Sequence, residues 1–156
     1  MKVLKISGII VAVLVVGIFV FAKTNHVAPL GMVSSDEFDN YSGIAIKGYD
    51  PVSYFVSDKA QLGTEDYQYE WKDAIWYFVS EENKNSFMAN PEMYAPQFGG
   101  YCGFAVNAGF TAGADPTSYM IKDEKLYLFN GADVKAEAQA GGKEFFDKAN
   151  ANWNKK

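Results

Sequence analysis

The chain is 156 residues long, 49% apolar and 16% aromatic, with a net charge of −5. It carries enough apolar surface for one packed domain plus a short extra segment, which excludes disorder as its dominant state. All 14 basic residues are lysines, so the planar fork that grips phosphate bidentately is missing, and an acidic chain without it is not expected to bind nucleic acid.

The opening stretch is "MKVLKISGIIVAVLVVGIFVFAKTN". Lys2 and Lys5 precede an apolar run, Ile6 to Ala22, that has no polar face. As a helix the run spans about 25 Å, near the lower limit for crossing a bilayer and longer than the usual apolar region of a secretory signal. It predicts either an N-terminal membrane anchor or a cleaved signal over residues 1–22. Both place the remainder outside the cytoplasmic membrane, on the periplasmic or equivalent side, because the positive end stays in the cytoplasm. Past Lys5, 12 lysines stand against 19 acids, an acidic balance that favours solubility. Residues 23–40, rich in Pro, Gly, Ser, Asn and Asp, read as a tether. The single histidine, His26, falls in it and is expected to be exposed and uninvolved in catalysis.

The domain is expected over residues 41–156. A short strand around Ile44–Ile46 is followed by a turn at Gly48. Asp50-Pro51 then begins a short helix, with Asp as N-cap and Pro at the first position. "YQYEW" (67–71) sets Tyr67, Tyr69 and Trp71 on one face of a strand. "AIWYFV" (74–79) is its antiparallel partner across Lys72-Asp73. Ser80 opens a helix whose first turn holds Glu81 and Glu82, where negative charge suits the dipole. Asn83 stands where a capping box would prefer Glu or Gln. Phe87 and Met88 are expected to face the core, and Pro91 to end the helix.

"GGYCGFAVNAGF" (99–110) reads as a helix with Tyr101, Ala105 and Ala108 on one face and Cys102, Ala105, Val106 and Gly109 on a neighbouring one. "SYMI" and "KLYLF" form a second hairpin across Lys122–Glu124, and Asn130-Gly131 signals a turn. "ADVKAEAQA" is a helix by propensity, broken at Gly141-Gly142. A last helix brings Phe146, Ala149 and Trp153 to one face. Strands do not alternate singly with helices, so the expected class is α+β, with small antiparallel hairpins packed against helices.

The fragments "GYDPVSYF" (48–55), "YEWKDAIWYFVSEENKNSFMANPEMYAPQFGGYCGFAV" (69–106), "KLYLFNG" (125–131) and "ANANW" (149–153) together resemble the YHS domain family, in its exported, single-domain branch. The resemblance covers about residues 44–154. It implies a small α+β unit, a hairpin followed by a helix, extended by a carboxyl-terminal hairpin and helices. It also implies association with metals, copper among them, because YHS segments accompany copper-transporting ATPases and some oxygenase components. The ligand pattern this implies, D-P-V-C-G-M, then a His before the hairpin, then F-C-S-x-x-C, falls on Ser53, Tyr69, Val79 and Asn83 here. None of these is a thiolate or an imidazole, so the soft-metal constellation is gone.

Cys102 lies outside that set. It reads as a packed core thiol first, as a ligand or cofactor contact second, and as a redox or intermolecular disulfide partner third. A Cu(I) site would need thioethers from Met88, Met93 or Met120 beside it. The other candidate polar centre is Asp50 with Tyr49 and Tyr54, lining a pocket against Tyr101 and Cys102. Signatures of hydrolases, zinc proteases and phosphate-binding loops are missing. The acidic pairs Asp36-Glu37, Glu65-Asp66, Glu81-Glu82 and Asp123-Glu124 are expected to be solvated. The expected function is an exported, non-enzymatic binding module for a small ligand or a protein partner. The alternative is a copper or other metal or cofactor handling protein using Cys102 and methionines.

Overall fold

Two hairpins pack against helices: the first buries alternate positions, Ala74, Trp76 and Phe78 among them, and the second buries four successive residues, Leu126 to Phe129. The structure, a computed structural model, describes residues 2–33, 38, 40–41 and 43–155. The side chains of residues 2–9, 40 and 41 lie outside that description, as does the acidic pair Asp36-Glu37. The chain begins with helix α1 (Lys2–Thr24) and strand β1 (Ala28–Pro29). Strands β2 (Asn40–Tyr41) and β3 (Ile44–Ala45) and the short helix α2 (Ser53–Val56) follow. The first long hairpin is β4 (Thr64–Trp71) with β5 (Ala74–Phe78), and helices α3 (Glu81–Ala89) and α4 (Pro91–Tyr94) come after it. Helix α5 (Gly103–Ala108) leads to β6 (Phe110–Thr111). The second hairpin is β7 (Asp115–Lys122) with β8 (Lys125–Phe129), and α6 (Ala132–Trp153) closes the chain.

The expected α+β class holds. Among the described residues three small sheets form, β1-β6, β2-β3-β5-β4 and β7-β8. Their strands pair antiparallel except β3 with β5, where Ile44 lies opposite Ile75 in parallel. Both hairpins lie where the alternation places them. At their turns Lys72 and Asp73 (φ 49° and 57°) and Asp123 and Glu124 (φ 50° and 59°) are left-handed in succession, the geometry whose twist matches that of the strands. Tyr67, Tyr69 and Trp71 do share the inner face of β4. The acidic pairs Glu65-Asp66, Glu81-Glu82 and Asp123-Glu124 are exposed.

The core has two aromatic groups. Trp76 sits 5.0 Å from Phe87 and 5.1 Å from Phe38, with Trp71 beside them. Tyr127 sits 4.8 Å from Phe146 and 5.6 Å from Phe98. A separate pair ties α2 to the second hairpin: the Tyr54 ring lies 4.8 Å from that of Tyr119 of β7.

Three expectations are corrected. The segment from Gly99 is not helical up to Cys102. Phe98, Gly99 and Gly100 are left-handed (φ 60°, 63° and 80°), which interrupts any right-handed helix. Helix α5 starts only at Gly103, and Ala108 is exposed, so the face Tyr101–Ala105–Ala108 does not exist. Gly103 has a packing reason, since a Cβ there would come within 3.3 Å of the Phe129 ring. Met88 does not face the core; it is 44% exposed while Phe87 is fully buried. In a single short helix the buried face runs through Asn83 and Phe87, four apart, and position 88 is turned about 100° away.

The tether is not loose at its start, the third correction. Ala28 pairs with Thr111 and Pro29 with Phe110. Gly113 N–H donates to the Asn25 carbonyl at 2.9 Å, and Leu30 is buried. His26, expected to be exposed, is half-buried and its carbonyl accepts from Thr111 Oγ1 at 2.8 Å. As expected, α6 is broken in conformation at the glycine pair, at Gly142 (φ 52°, ψ −140°), while Gly141 stays helical. Phe146 and Ala149 are buried and Trp153 half-buried on one face, as expected. Among the residues whose side chains are described, which in α1 begin at Ile10, no helix is long and apolar enough to cross a membrane.

Candidate functional site

Asp50 gathers more hydrogen bonds than any other described carboxylate, and it is fully buried. Its Oδ1 accepts the N–H of Val52 at 2.8 Å and of Ser53 at 3.3 Å. Its Oδ2 accepts the N–H of Val79 at 2.9 Å and Asn83 Nδ2–H at 2.6 Å. The carboxylate therefore caps the turn into α2, as its place before proline suggests, although α2 itself begins at Ser53. It also ties α2 to the end of β5 and to α3. All four donors are N–H groups of uncharged residues, and together they fill the two oxygens.

This explains Asn83. Ser80 caps α3 by accepting Asn83 N–H at 3.2 Å, but a Glu at position 83 would set a second carboxylate against Asp50. The amide donor replaces the missing half of the capping box. Ser53, Val79 and Asn83, three of the four positions on which the family's ligand pattern falls, thus converge on Asp50. Tyr69 does not join them; its ring faces Phe87 at 6.5 Å.

Tyr54 is likewise satisfied inside. Its hydroxyl donates to the Pro116 carbonyl at 2.9 Å. Burial first, then Tyr49, Tyr119, Asp115 and Asp50 nearby, push this phenol far above its ordinary value of 10.0. Tyr49 is half-buried against the core, its backbone bridged to Leu62. Asp50 and Tyr54 therefore hold the fold together and present no unmatched polar atom to a ligand.

Cys102 lies elsewhere. It is 3% exposed; its thiol accepts the Asn130 N–H at 3.3 Å, while its own N–H donates to Ala112 O at 2.9 Å. It is buried in the core, as expected of a packed thiol, and it also borders a hollow. Cys102 stands at the wall of a hollow of about 410 Å³ between α5 and the first turn of α6. Phe104, Ala105, Ala112 and Val134 supply most of the apolar wall, and Asn130 and Asp133 its polar groups. Gly131 precedes α6 and offers no side-chain cap to the N–H groups of its first turn. Helix α5 is fixed against α6 by Asn152 Nδ2–H, which donates to the carbonyls of Val106 and Asn107 at 3.2 and 2.9 Å. The lining includes none of Tyr49, Asp50, Tyr54 or Tyr101. Tyr101 is buried on another side, 6.4 Å from Trp153. The structure does not bring the two candidate centres into one pocket.

The wall offers no soft-metal donor set. Cys102 is joined there only by Asp133 among titratable residues, and no methionine lines it. Met88 and Met93 are exposed, and Met88 lines a different groove with Tyr69, Glu70 and Lys84. Among the described residues, no group of three or more His, Cys, Asp or Glu could hold a metal ion. Copper held by one thiolate needs further soft ligands, so the residues at Cys102 do not fit it. Sequence reasoning does not find the hollow. The Asn130-Gly131 turn just ahead of a helix marks one wall, but nothing in the pattern of residues 104–112 marks the other.

Among curated proteins and among solved structures, no match is found. Residues 52–98 match the YHS domain family, a stretch that runs from α2 through the first hairpin and α3 to Phe98 and contains every position that ties to Asp50 except Asp50 itself. The chain carries a match to the YHS domain over residues 52–98.

Proposed function

We propose that this protein is a non-enzymatic binding module, held on the outer side of the cytoplasmic membrane by α1, that takes a small ligand in the hollow beside Cys102. The hollow carries the reading: about 410 Å³ of space with a mainly apolar wall falls in the size range of small-molecule sites. The uncapped start of α6 adds hydrogen-bond donors at one end. The matching ligand has an apolar body and one acceptor group, such as a carboxylate or a carbonyl.

The membrane reading is supported by α1. It runs 23 residues, about 35 Å at helical rise. Ten large apolar side chains from Ile10 to Phe21 are each more than half exposed. Each is worth about 1.5–3 kcal/mol when removed from water, and no part of the domain covers them. The lysines at positions 2 and 5 favour the orientation that leaves residues 23–156 outside.

The test uses 4-phenylbutyrate as probe and the full chain in lipid nanodiscs, read by amide chemical shifts. Saturable shifts are expected at Ala112 and residues 130–134, and Ala105→Phe, which fills the hollow, should weaken them at least about tenfold without a large change in Tm. Shifts that fail to saturate, or that survive Ala105→Phe in a folded variant, would refute the site. Stoichiometric Cu(I) binding lost in Cys102→Ser would replace this reading with metal handling.

A further inference from the structure

We propose that the β1–β6 edge is a lipid-contacting face that seats the domain on an anionic bilayer surface, so that the domain does not swing free below its anchor. The inference rests on the reading of α1 as a membrane anchor.

The junction has little slack. Val27 N–H donates to Ala22 O at 2.8 Å, closing α1, and Gly113 N–H donates to Asn25 O at 2.9 Å. Thr111 Oγ1 donates to His26 O at 2.8 Å and accepts Ala28 N–H at 3.1 Å, and Leu30 N–H donates to Gly109 O at 3.2 Å. Ala28 is four residues beyond the end of α1, so even a fully extended chain would put it only about 14 Å away. The headgroup layer on each side of a bilayer is roughly 5–8 Å deep.

The edge itself suits that layer. Pro29 and Phe110 are register partners, both are exposed, and Phe110 is 48% exposed. Met32, three residues on from Pro29, is 81% exposed. Thr111 points the opposite way and is buried, as strand alternation requires. Lys23 lies exposed in the last turn of α1, and Lys155 lines a shallow hollow with Leu30, Gly31, Gly109 and Asn152. No Asp or Glu occurs in residues 23–33 or 101–114. Asp115 lines a hollow with Thr24, Asn25 and Lys47 beside this edge. In a chain of net charge −5, an edge that combines exposed apolar side chains with lysine and carries no carboxylate on its own two strands matches a bilayer of anionic lipid.

The test places tryptophan at the edge, Phe110→Trp, in the full chain reconstituted into vesicles of phosphatidylcholine with a quarter phosphatidylglycerol. Leu62→Trp, at an exposed site that is not on β1 or β6, is the reference. Emission above that of the parent chain is expected to be quenched at least about twofold more at position 110 than at position 62 by lipids brominated near the top of the acyl chain. Acrylamide should show the reverse order. Met32→Trp gives the same readout if position 110 does not accept an indole. An introduced indole open to acrylamide and untouched by brominated lipid overturns the seating. An indole shielded from both quenchers overturns it too, because a second protein copy then covers the edge. In either case the chain still floats with the vesicles and the anchor reading stands. A chain that does not float overturns both.

Discussion

At the level of single residues, the decisive group is Asp50. Four donors converge on its carboxylate from three segments, so Asp50→Ala should cost about 3–5 kcal/mol in chemical unfolding, because buried donors lose their acceptor. Asn83→Leu removes one of the four and should cost about 1.5–3 kcal/mol. A ligand-binding Asp50 would behave the other way, with Asp50→Ala keeping its unfolding midpoint. Tyr54 adds a pH dependence. Its folded-state pKa is raised, so its contribution to stability is complete below about pH 10, the unfolded value, and is lost as pH rises above it. Tyr54→Phe should therefore lower stability by about 1 kcal/mol at pH 7, through the hydrogen bond to Pro116. It should also make the alkaline decline shallower; an unchanged alkaline limb would count against the buried phenol. Asp50's capping role is legible in the sequence, because Asp-Pro is a local signal. Its bonds to Val79 and Asn83 are not, because they join residues about 30 positions apart.

Elements show the same division. The two hairpins and the break near Gly142 are legible because alternation, β-branched runs and glycines act within a few residues. Helix α5 is not, since its start depends on the left-handed backbone of residues 98–100 and on Gly103 nesting under Phe129. Nor is β1, two residues long, whose pairing is decided by Thr111. That hydroxyl is buried and serves both His26 O and Ala28 N–H. Thr111→Val, which keeps the shape, should cost about 1–3 kcal/mol and speed amide exchange across residues 25–30. A loss below about 0.3 kcal/mol with unchanged exchange would mean that the segment is a tether after all.

The whole molecule separates scaffold from site. One knot of hydrogen bonds at Asp50 and two aromatic groups hold the domain together, while the hollow beside Cys102 opens elsewhere, between α5 and α6. Residue type and short-range period are enough to specify the apolar run at the start, the α+β class and both hairpins, and the quoted motifs carry the likeness to the YHS domain that residues 52–98 match. Three features come from the folded chain alone: Cys102 borders open space, Asp50 and Cys102 belong to different centres, and the supposed tether begins as a strand. Each depends on contacts between segments distant along the chain, where packing, and not local preference, selects the conformation.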